Sequence, residues 1–75
     1  MQFTRINHDI TIMGGKACIK GTRVTVGMIV NQISEGVTVE KLLSDYPYLT
    51  HDDVMQALKY AAWIVDAREI EIVYA

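Results

Sequence analysis

Residues 46–65 read YPYLTHDDVMQALKYAAWIV, and how this stretch is punctuated decides the fold. Pro47 cannot continue a helix, because its ring clashes with the preceding turn and it has no N–H to donate. Thr50 is a favoured N-cap, and Asp53 stands three residues on, a variant of the capping box in which each residue bonds the other's backbone N–H. Leu49 and Val54 flank this start at the spacing of a hydrophobic staple. A helix is therefore expected from His51 to about Arg68. Its central stripe is Val54, Leu58, Ala61 and Val65, with Trp63 on the opposite side beside Gln56, Lys59 and Asp66.

Working back toward the N-terminus, the same device recurs. Thr38 caps a second helix, Val39 to about Tyr46, that buries Val39, Leu42, Leu43 and Tyr46, with Val37 and Leu42 at staple spacing. Thr25 caps a first helix, Val26 to Glu35, with Val26, Ile29, Val30 and Ile33 on one stripe and Gly36 as its stop. Ahead of these, Ile10–Met13 and Val24–Val26 alternate apolar and polar residues around Gly14, Gly15 and Gly21, which predicts a short β-hairpin arm. Residues 69–74, EIEIVY, also alternate as a strand would. The expected architecture is mainly α: one domain over 1–75, with a stranded basic arm (1–25), a three-helix core (26–68) and an apolar tail (69–75). The second and third helices and the turn between them have the lengths of a helix-turn-helix.

Composition narrows the function classes. The 75 residues are 51% hydrophobic with a single proline, so the chain is globular. One cysteine, Cys18, can form neither an internal disulfide nor a metal cluster; it reads as a core residue of a protein in a reducing cytoplasm. No cofactor motif, export signal or membrane-length apolar run is present in the sequence. His8 and His51 are far apart, His8-Asp9 reads as turn material, and Asp52 and Asp53 point in different directions at a helix start. An enzyme is therefore not expected.

Two surfaces remain. Net charge is −2, but residues 1–25 carry +3 through Arg5, Lys16, Lys20 and Arg23 against Asp9, while residues 26–75 carry −5. Anion binding should therefore draw on Lys16, Lys20, Thr22 and Arg23 around Gly21. Arg23 offers a planar fork suited to phosphate, although Gly21-Thr22-Arg23 reads first as the turn that launches the first helix. Thr50 and His51 could add donors at the third helix, where Asp52 and Asp53 would repel DNA. The second surface is apolar. Trp63 with Ile70, Ile72, Val73 and Tyr74 exceeds what a chain this short needs inside, so a homodimer or protein partner is expected unless the tail folds back over Trp63.

These motifs together carry a family resemblance. The run IMGGKACIKGTRVTV (12–26), the break Glu35-Gly36-Val37-Thr38, YPYLT (46–50) and DVMQALKYA (53–61) fall in the order of the bacterial and archaeal domain-of-unknown-function family 433, which the chain resembles over about residues 5–62. It departs at Ala17, where that family usually has proline. The resemblance implies a homeodomain-like or winged-helix three-helix fold. It further implies an antitoxin-like protein that silences a toxin with a PIN-like nuclease fold and binds its own operator DNA. A stand-alone DNA-binding regulator and a dimeric interaction module are the alternatives.

Overall fold

The computed structural model describes residues 3–74, with side chains to Arg68. Among the described residues the architecture is mainly helical: a short two-stranded antiparallel sheet, β1 (Ile6–His8) and β2 (Ala17–Ile19), followed by α1 (Val26–Ser34), α2 (Val39–Asp45) and α3 (His51–Tyr74).

All three helix starts form as their caps dictate. Thr25 Oγ1 accepts from Met28 N at 3.0 Å, and Thr38 Oγ1 accepts from Lys41 N at 3.1 Å. At α3 the capping box closes in both directions: Asp53 N donates to Thr50 Oγ1 at 3.1 Å, and Thr50 N donates to Asp53 Oδ2 at 3.0 Å. Gly36 stops α1 at φ +95°, a left-handed conformation that a side chain would strain.

The arm is a hairpin, but not the expected one. Ile10–Met13 is not a strand. Asp9 Oδ1 accepts from both Thr11 N (2.9 Å) and Thr11 Oγ1 (2.6 Å), bending the chain there, and residues 13–15 form one 3-10 turn. A short acceptor side chain offering its own backbone a local bond outcompetes apolar alternation. The paired strands lie outside this bend, in the register Ile6↔Ile19, Asn7↔Cys18 and His8↔Ala17. Val24–Val26 contributes a single bridge, Cys18↔Thr25, before α1 begins.

The core is Ile19, Val24, Val26, Ile29, Leu42, Leu49, Val54 and Ala57, so every element except β1 places at least one residue in it. Cys18 is buried beside them. The α3 stripe runs out sooner than its periodicity suggests: Leu58 and Ala61 are half-buried, and Val65 is 52% exposed. Residues 69–74 continue α3 as helix, which corrects the strand-like reading of the tail. A strand needs a neighbouring edge for its backbone bonds, whereas an existing helix adds residues without a new nucleation cost.

Candidate functional site

The expected basic surface separates into two grooves. The Gly21 turn is built by Thr22, whose Oγ1 donates to the Ile19 carbonyl (2.8 Å) and accepts from Val24 N (3.0 Å), with Gly21 at φ +77°. These bonds hold Thr22 half-buried and leave Arg23 exposed. Arg23 lines a shallow groove with Gly21, Thr22 and Tyr48, so the turn before α1 faces the turn before α3. Tyr48 is 60% exposed and meets Tyr46 edge-on at 6.3 Å. The sequence reading passed over Tyr48. An aromatic next to Pro47 in a turn was the available signal, but its meeting with Arg23 is tertiary.

Lys16 belongs to the other groove, where the arm, the first turn of α1 and the second half of α3 meet. Its lining includes His8, Lys16, Val26, Met28, Val65 and Arg68. The His8 ring is held by Tyr60, with Nε2 2.9 Å from the hydroxyl. Lys20 is exposed at the end of β2, and its backbone N donates to the Arg5 carbonyl at 2.8 Å. Thr50 and His51 are exposed at the start of α3, with the Thr50 hydroxyl engaged in the capping box.

Arg5 is the residue that sequence reasoning left without a role. Asp53 is buried, and Arg5 Nε donates to its Oδ1 at 2.6 Å while Arg5 N donates to Gln56 Oε1 at 2.9 Å. Burial pushes the Asp53 carboxyl pKa up. The bond and charge of Arg5 and the Thr50 N–H outweigh that, so the net direction is down and the carboxylate stays charged. Arg5 is correspondingly held above its usual value, mainly by the hydrogen bond to Asp53. Asp53 thus ties the arm to α3 and its charge is neutralised, leaving Asp52 as the exposed acid of that first turn.

The partner surface is half visible. Trp63 is 51% exposed, with ring centroids 5.8 Å from Phe3 and 6.1 Å from Tyr60, and Phe3 meets Tyr60 edge-on at 5.2 Å. The N-terminal arm, rather than a folded-back tail, shields part of the indole. The side chains of Ile70, Ile72, Val73 and Tyr74 lie outside the described residues. Among the described residues no cluster of three or more His, Cys, Asp or Glu could hold a metal, and no helix is long and apolar enough to cross a membrane.

Comparison with known proteins agrees with this arrangement. The family model described as a protein of unknown function (DUF433) matches residues 6–61, which span the sheet, α1, α2 and the packed half of α3. A crystal structure of a DUF433 member protein from Anabaena variabilis ATCC 29413 is similar at a TM-score of 0.79 and 30% identity, covering 92% of this chain and 68% of that one. No curated protein matches the chain. A family model spanning the whole packed core, and a solved member of the same fold, lead to one conclusion: the chain belongs to the DUF433 family.

Proposed function

We propose that the protein is a non-enzymatic, antitoxin-like module that binds a PIN-like nuclease toxin through the part of α3 that follows Ala57. The observation that carries this reading is the exposure of Trp63 and Val65, 51% and 52%, on helix that extends beyond Ala57, the last fully buried α3 residue among those described. A half-exposed indole fixed by Phe3 and Tyr60 is a pre-organised anchor, and Trp is enriched among the residues that dominate binding energy. The kind of partner comes from the family resemblance. The chemistry inside the domain favours binding over catalysis, since buried Asp53 is committed to an ion pair and a helix cap and Cys18 lies in the core.

Co-expression with the product of the adjacent reading frame tests this. Wild type should co-purify with a PIN-like partner and suppress its nuclease activity, and Trp63→Ala should weaken capture by roughly tenfold or more. A PIN-like neighbour that wild type neither binds nor inhibits would refute the reading.

A second reading, a DNA-binding regulator using α2, the turn and α3 as a homeodomain-like helix-turn-helix, is favoured by the Arg5–Asp53 pair. Neutralising Asp53 removes one of the two acids that would repel DNA from α3, and Arg23 with Tyr48 supplies a cation and an aromatic beside the turn. Lys16, Lys20, Thr50 and His51 would add phosphate contacts. Gel shifts on the upstream region should weaken steeply with salt and further with Arg23→Ala; no shift at low salt removes this reading.

A further inference from the structure

Two turns that are distant in sequence present an arginine and a tyrosine to one groove, lined by Gly21, Thr22, Arg23 and Tyr48. Both side chains stand on fixed backbone. Leu49 N donates to the Tyr46 carbonyl at 2.9 Å, closing a tight turn over Pro47 and Tyr48, and Leu49 itself is buried. Tyr46 braces the Tyr48 ring edge-on, and its own hydroxyl accepts from Gln32 Nε2 at 3.3 Å. Tyr48 is thus an exposed ring on a rigid support. Arg23 stands between Thr22, whose hydroxyl makes two bonds, and buried Val24.

The backbone beside Arg23 is available as well. Among the described residues no acceptor takes the N–H of Gly21 or of Arg23, and a Cβ placed on Gly21 would meet nothing within 4 Å. Of the acids that flank the Tyr48 turn in sequence, Asp45 pairs with Lys41 at 3.0 Å and Asp53 with Arg5, which leaves Asp52 without a cation. Glu69 and Glu71 lie about 27 Å or more along α3 from His51.

A planar cationic fork beside two free amide donors suits a phosphate, and an open, braced phenol ring suits the flat face of a base. A duplex does not offer that face, because its bases are stacked on one another and show only their edges in the grooves. We infer that this groove takes one unpaired nucleotide of a single-stranded nucleic acid, its base stacked on Tyr48 and its phosphate held by Arg23 and the Gly21 turn. The site needs neither α3 in a major groove nor the Trp63 surface, so it stands apart from both readings above.

Fluorescence anisotropy at low salt tests it, with labelled oligoadenylate of about eight nucleotides in deoxy and ribo forms. Wild type should bind single strands, and more tightly than the duplex each forms with its complement; a preference between the two forms would identify the sugar of the ligand. Tyr48→Ala should weaken binding roughly tenfold and Tyr48→Phe leave it within about twofold, because stacking needs the ring and not the hydroxyl. Arg23→Ala should weaken binding and lower the slope of log affinity against log salt by about 0.7, the value for one phosphate contact on a single strand. Both positions are exposed, so the circular dichroism of these variants should match wild type. Trp63→Ala should bind the oligonucleotide as wild type does, which separates this site from toxin capture. Absence of binding at low salt, a Tyr48→Ala variant that binds as wild type does, or tighter binding of the duplex would overturn the inference.

Discussion

Arg5 and Asp53 show how one residue can serve three links at once. The Asp53 carboxylate caps α3 through Thr50 N, neutralises Arg5 and fastens the N-terminal arm to the helix that carries Trp63. Asp53→Ala should cost about 2 kcal/mol in urea unfolding, the scale of losing hydrogen bonds to a charged group. The pH dependence follows from the lowered carboxyl pKa. Asp53 contributes its full stabilisation above the ordinary carboxylate value, about pH 4, and loses it as pH falls through the folded-state value below that. Asp9, lowered chiefly by the Thr11 hydroxyl, works in the same direction. Wild-type stability should therefore drop below about pH 4, and the drop should be shallower in Asp53→Ala. At Thr22 the hydroxyl both donates and accepts within the turn, so isosteric Thr22→Val should destabilise by about 1 to 2 kcal/mol, with Thr22→Ser milder.

At the scale of elements, only the first part of α3 places fully buried residues in the core among those described. Its 24 residues span about 36 Å, but the buried positions among those described end at Ala57. Deleting residues 69–75 should reduce helical circular dichroism yet shift unfolding free energy by less than about 0.5 kcal/mol, because the fully buried residues of α3 among those described all precede Leu58. A larger loss would mean the tail packs within its own chain. The starts of α1, α2 and α3 were legible because Thr25, Thr38 and Thr50 act over three residues of sequence. The β-strands were not, because Asp9 bends the chain locally and pairing Ile6 with Ile19 is a choice between distant segments.

Across the whole molecule, a core of eight buried apolar residues must hold five elements together. For a chain of this length total stability is roughly 4 to 11 kcal/mol. Ile29→Ala, at a site with no exposed surface, should cost about 3 kcal/mol and leave the domain marginal at physiological temperature, read as a lowered unfolding midpoint. The same smallness leaves apolar surface outside that core, with Trp63 51% and Val65 52% exposed.

The sequence by itself determined the three helices, their caps, the Gly36 stop, the burial of Cys18 and the family, because each rests on spacing within a few residues or on motifs in order. Tertiary structure decided the rest. It separated Lys16 from Arg23, brought Tyr48 to Arg23 and Arg5 to Asp53, and carried the alternating tail on as helix. The first three depend on which distant segments pack together, and the last on whether a neighbouring edge exists for a strand to bond. Local pattern contains neither piece of information.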